Sequence, residues 1–259
     1  MARDASDESI LVTSPFSIAK LSWLVIGMLW VSASLLVAQD IQWASPQLIV
    51  GTGDISKHGV YVDALQTYLG TDIDGKGVGP TEITIGDTIF HKASAGVDSG
   101  GDGTISFSIN KGQRYFASGN NPHAGWNVFP IDPPSSPDYS RIVSNGIYIS
   151  NGDTDGLVTF SQLKIGHLYE VQVWLFVQDH EHSLTKLSGK NSVTLDNAAG
   201  RAPPDGPLPS GAYGNFVLGT FKANHLVENF VWSLDDSGGQ YAAISSIALR
   251  DITDSGGKH

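Results

Sequence analysis

Along residues 168–177 the side chains alternate: Tyr169, Val171, Val173, Leu175 and Val177 fall on one face of an extended segment, and Glu170, Gln172, Trp174 and Phe176 on the other. The first set predicts a core face. The second is amphipathic and predicts either a binding face or a surface covered by a neighbouring loop. Similar alternation of β-branched and aromatic residues, punctuated by Gly, Asp, Asn or Pro, predicts strands over 60–65, 82–90 (broken by a Gly86-Asp87 turn), 104–109, 146–150, 157–163, 192–195, 215–222, 229–234 and 242–252. Beyond Asp40 no stretch of helical apolar period exceeds about ten residues. The expected fold is therefore all-β, a single antiparallel β-sandwich over residues 39–253. Two long connections, 111–140 and 196–214, interrupt the strands, and loops of this size on a β scaffold often carry function. The tail, 254–259, is polar and Gly-rich and reads as disordered.

Residues 21–38 differ in kind, forming an uncharged run that is apolar on every side, between Lys20 and the Gln39-Asp40 pair. This run predicts an N-terminal hydrophobic helix that directs export, with residues 1–38 acting either as a signal peptide or as a retained membrane anchor. The protein is then expected to be secreted, periplasmic or at the cell surface, with membrane contact made through this segment alone.

Composition narrows the chemistry. A net charge of −11 over 259 residues removes the electrostatic basis for binding a nucleic-acid backbone or an anionic membrane surface. The absence of Cys excludes disulfides, thiol catalysis and thiolate metal sites, so stability must come from a large buried core.

Few motifs survive inspection. Asp-Ser-Gly-Gly occurs at 98–101, 236–239 and 254–257, but without the residues that flank a protease nucleophile, and its recurrence between strands is turn chemistry. Residues 151–158 imitate the first half of an EF-hand loop, yet Gln162 stands where a bidentate Glu is needed, so calcium is retained only as a candidate structural ion. His180 and His182 would share a strand face, but no Glu follows at a metal-ligand offset. Carboxylates such as Glu170, Asp179, Glu181, Asp235 and Asp236 show no spacing diagnostic of glycoside hydrolysis. No catalytic residue, metal site or cofactor is assigned.

Aromatic residues remain. The first long connection carries Tyr115, Phe116, Trp126, Phe129 and Tyr139 beside Asn120, Asn121 and His123. Sugars stack on such rings while amides and carboxylates satisfy their hydroxyls. Trp126, Tyr115, Trp174, Glu170 and Gln172 are therefore the candidate carbohydrate contacts, against the competing reading that these rings plug the core.

Several blocks carry a resemblance: Ile41-Gln-Trp43, Gly53-Asp-Ile55, residues 59–64 and 83–90, the stretch 163–179 opening on Leu163-x-x-Gly166-x-x-Tyr169, then 191–196, 214–223 and 244–250. Together they resemble uncharacterised exported bacterial proteins with a galactose-binding-like, jelly-roll sandwich. The resemblance implies that Gly166 makes a turn and Tyr169 anchors the strand after it, and it implies no catalytic residues. The expected function is a non-catalytic carbohydrate-binding or surface-recognition module, with a cell-surface glycan as partner. An adhesive envelope protein that binds other proteins and a glycan-active enzyme without a recognisable motif are the alternatives.

Overall fold

The computed structural model describes residues 40–66, 81–92, 99–100, 103–109, 115–117, 136–143, 146–150, 155–175, 184–197, 199, 214–235, 237 and 241–257. Their strands, numbered β1 to β17 in chain order, form three sheets. The largest runs β1 (Gln42–Trp43), β14 (Asn215–Lys222), β11 (Leu168–Leu175), β17 (Ser246–Asp251), β3 (Val60–Gln66), β5 (Thr88–Lys92) and β4 (Glu82–Ile85), with β2 (Gln47–Leu48) also pairing β14. The second runs β13 (Val193–Asp196), β12 (Leu184–Leu187), β15 (Glu228–Leu234), β10 (Gly156–Phe160), β7 (Ile105–Ile109) and β6 (Ser99–Gly100). A smaller sheet joins β16 (Tyr241–Ile244), β9 (Gly146–Ser150) and β8 (Tyr115–Ala117). The chain is all-β apart from one short helix, α1 (Pro137–Val143), and isolated 3₁₀ turns among the described residues.

Local chemistry explains several elements. Gly86 takes a positive φ of 65°, which lets the β4–β5 hairpin close tightly, as the Gly86-Asp87 pair predicts. The Leu163-x-x-Gly166-x-x-Tyr169 block forms a corner: Gly166 has φ 88°, and the Tyr169 hydroxyl accepts the Lys164 amide at 2.9 Å. On β14, Gly219 leaves room for the Trp43 indole, because a Cβ there would lie 2.5 Å from Cε3 of the ring. The ring is fixed further by donation from Nε1 to the Ser188 carbonyl at 2.9 Å.

Four expectations are corrected. The sheet is mixed rather than wholly antiparallel, since β3 and β5 run parallel. The run 242–252 breaks at the buried Ser245 into β16 and β17, which belong to different sheets; the Ser245 amide donates to the Trp174 carbonyl at 2.8 Å, so the crossing leaves no orphan donor there. The connection 111–140 contains β8 and most of α1. The start of the tail is ordered as a 3₁₀ turn, Thr253–Gly257, in which the Thr253 hydroxyl accepts the Leu168 amide at 3.0 Å.

Burial follows two clusters. The principal one draws side chains from all three sheets, among them Val171, Val173, Phe221, Phe160, Phe230 and Ile147. Phe160 lies with its ring centroid 5.6 Å from that of Phe221 on the largest sheet and 5.9 Å from that of Phe230 beside it. The second cluster lies on the other side chains of the largest sheet, where Trp174, Phe90, Phe216 and Ala248 meet Ile49, Ile55, Tyr139 and Ile142. Each such side chain contributes roughly 1.5–3 kcal/mol when withdrawn from water. Hydrogen bonds also tie the sheets: Asp63 Oδ2 on β3 accepts the Ile105 amide of β7 at 2.8 Å, Asn215 Oδ1 on β14 accepts the Asp196 amide of β13 at 3.0 Å, and the Thr185 hydroxyl of β12 bonds both the amide and the carbonyl of Ala243 on β16.

Candidate functional site

Three of the sequence-predicted contacts, Glu170, Gln172 and Trp174, lie on one face of β11, as the alternation requires. That face is not open. All three side chains are buried, beneath the segment 49–59 and α1. Trp174 is wholly enclosed, packed edge-on to Phe90 with ring centroids 5.8 Å apart, and so offers no ring face to a sugar. Of the two readings of this face, the covered surface is the one found.

The cover is pinned by the polar side chains beneath it. Gln172 donates from Nε2 to the Asp54 carbonyl at 2.7 Å and accepts the Ser56 amide on Oε1 at 2.9 Å, an amide clasping two backbone groups of the strap. Glu170 accepts the Ser56 hydroxyl on Oε1 and meets Nδ1 of His58 with Oε2 at 2.9 Å. Arg250, the register partner of Glu170 on β17, holds the strap from the adjacent strand by donating from Nε to the His58 carbonyl at 2.7 Å. Its guanidinium also engages Asp87 at 2.5 Å, and that bond holds the Asp87 carboxyl below its ordinary range. Asp54 secures the upstream end, where Oδ2 accepts the amides of Val50 and Gly51 and the hydroxyl of Tyr139. Burial, then the neighbouring Asp54, pushes the Tyr139 hydroxyl far above its ordinary pKa, so it stays a donor.

What this network presents to solvent is His58, with 68% of its side chain exposed. A carboxylate on Nδ1 favours the tautomer that leaves Nε2 unprotonated, and Nε2 has no partner among the described residues. The outward nitrogen can therefore accept a hydrogen bond from a ligand hydroxyl. Ser56, the nearest hydroxyl in sequence, is committed to the same carboxylate rather than to the imidazole.

The other predicted contacts divide. Tyr115 stands on β8 opposite Tyr148 of β9, in a different sheet from Glu170 and Gln172. Trp126 lies outside the described residues, as do His180, His182 and the run 21–38. Half of the calcium-like loop, 151–154, also lies outside them, and its Asp155 is exposed before β10. Among the described residues no group of three His, Asp or Glu side chains is placed to hold a metal, and no helix is long and apolar enough to cross a membrane. Among the residues whose side chains are described, no Phe, Tyr or Trp ring stands exposed. An apolar cavity between Leu65, Phe107, Val158 and Trp232 measures about 10 Å³, room for at most one water.

Sequence reasoning missed His58, Ser56 and Asp54 as partners of the β11 face. It also missed further imidazole–carboxylate pairs, the shortest of which sets His167 Nδ1 2.7 Å from Asp251 Oδ2. Burial pushes the Asp251 carboxyl up, but hydrogen bonds from Thr253 and His167 outweigh it and hold the group below its ordinary value. With this geometry in hand, comparison with known proteins adds no relative: no family model matches the chain, and neither a curated protein nor a solved structure matches it.

Proposed function

We propose that the two larger sheets form a β-sandwich of jelly-roll type and that this exported domain is a non-catalytic carbohydrate-binding or surface-recognition module. The reading is supported above all by one link. Tyr139, at the close of the aromatic connection 111–140, donates its hydroxyl to Asp54 at 2.7 Å, and the Asp54 carbonyl is clasped by Gln172. The connection that carries Trp126 thus returns to the network that holds out His58. A ring from that connection would supply the stacking surface, and the imidazole, oriented by Glu170, would meet a sugar hydroxyl. Glu170 and Gln172 act beneath the strap as positioning residues, and Trp174 acts as packing. The core shared between the two larger sheets supports the sandwich itself.

A glycan array with the full chain tests this reading. Binding to at least one glycan is expected, with the signal lost in Trp126→Ala and weakened in His58→Ala while the thermal midpoint of His58→Ala is unchanged. No binding to any glycan, or a signal indifferent to both substitutions, overturns it. Release of reducing ends from a polysaccharide panel would replace binding by catalysis.

A further inference from the structure

Strand register brings one set of termini to the same end of the fold. In the largest sheet Leu168 pairs Lys222, Tyr169 pairs Asp251 and Asp251 pairs Val60; in the second sheet Phe160 pairs both Glu228 and Ile105. The connections β10–β11 and β14–β15 cross between the two sheets at this end and are bonded to each other, Leu163 amide to Leu226 carbonyl at 3.1 Å and Gly166 amide to Ala223 carbonyl at 2.7 Å. These connections and the adjoining strand ends carry most of the large aliphatic side chains that stand exposed among the described residues: Val60 at 67%, Ile165 and Leu226 at 61%, Val227 at 50% and Leu168 at 38%. Scattered exposed aliphatics are ordinary, but five at one end of a fold are not.

Two independent observations say what covers them. First, the described chain enters at this same end. Gln42 pairs Thr220, which in turn pairs Glu170, so the exposed Asp40 lies two residues beyond, level with Lys222 and Leu168. The sequence just before it is the uncharged apolar run 21–38. Second, the local charge departs from that of the chain. In a molecule of net charge −11, this end exposes Lys57, Lys164 and Lys222 against the exposed carboxylates of Asp40 and Asp254, while the carboxylates of Asp251 and Glu228, also at this end, are largely buried and each meets a histidine. Aliphatic loop tips ringed by lysines suit the boundary between acyl chains and headgroups, where the tips enter the apolar layer and long ammonium side chains reach back to water.

We infer that this end of the fold is a lipid-docking face: the tips at Ile165, Leu226 and Val227 dip into the outer part of a bilayer, a membrane contact additional to any made by residues 21–38. The inference goes beyond carbohydrate binding and does not depend on it.

The chain contains no cysteine, so a single introduced thiol gives a unique label. Full-length protein carrying an environment-sensitive fluorophore at Leu226→Cys, and separately at Val227→Cys, is reconstituted with phosphatidylcholine vesicles. Asp155→Cys serves as the control, because Asp155 is exposed before the opposite end of β10. Labels at 226 and 227 are expected to shift to the blue on vesicle addition and to be quenched by lipids bearing a nitroxide near the headgroup, while the label at 155 stays water-like. The inference is overturned if all three labels stay water-like and unquenched, or if the chain does not associate with the vesicles. It is equally overturned if the 226 label shifts without lipid as protein concentration rises, which would make this end a contact between copies of the chain.

Discussion

From Tyr169 onward the two faces of β11 are both buried, and they are held by different physics. On one, Tyr169, Val171, Val173 and Leu175 enter the principal cluster, where dispersion and the exclusion of water suffice. On the other, Trp174 packs against Phe90 and Phe216, but Glu170 and Gln172 are buried only because the strap 49–59 brings donors and acceptors to them. A buried polar group without a partner is costly, whereas one that clasps backbone fixes where a loop lies. The apolar face thus makes the fold, and the polar face fixes how the strap holds His58 out to solvent.

The largest effect should come from importing the chemistry of one face into the other. Val173→Asp places a carboxylate in the principal cluster with no donor nearby and should cost roughly 5 kcal/mol or more, leaving no cooperative urea transition. Trp174→Ala tests whether the polar face also depends on packing; loss of about 3–5 kcal/mol is expected, read as a lowered urea midpoint. Gln172→Ala strands the Ser56 amide and the Asp54 carbonyl and should cost about 1–3 kcal/mol in the same measurement, while weakening the hold on His58. The smallest effect concerns pH. Bonding to Arg250 holds the Asp87 carboxyl below its ordinary 3.8, so its contribution is complete above that value and disappears as pH falls through the lower native value. Because 59% of the Asp87 side chain is exposed, Asp87→Asn should flatten the acid side of a stability profile by under about 1 kcal/mol.

Much of this contrast was legible in the sequence, but not its resolution. Alternation in 168–177 identifies both faces, Gly86-Asp87 marks the hairpin, and the Leu163-Gly166-Tyr169 spacing marks the corner, because each is a local rule of backbone geometry. The cover could not be read the same way: Gln172 meets the Asp54 carbonyl across 118 positions of sequence, and nothing in the polar run Ser56-Lys-His58 announces a partner. Helix α1 escaped because its seven residues are too few to display a period. The break at Ser245 escaped because β-rich residues continue on both sides while the chain changes sheet. Glu170 and Gln172 lie on the face that the alternation assigns them, but they are buried there and hold the strap at Ser56, His58 and Asp54.

Amide hydrogen exchange at Ser56 tests the central claim most directly, because among the described residues that amide is bound by the Gln172 side chain alone. In the native protein it should exchange far more slowly than an exposed amide, and in Gln172→Ala its protection should collapse while that of β11 persists. Free exchange of Ser56 in the native protein would mean that the strap is open, that the second face of β11 is bare, and that His58 is not held by Glu170.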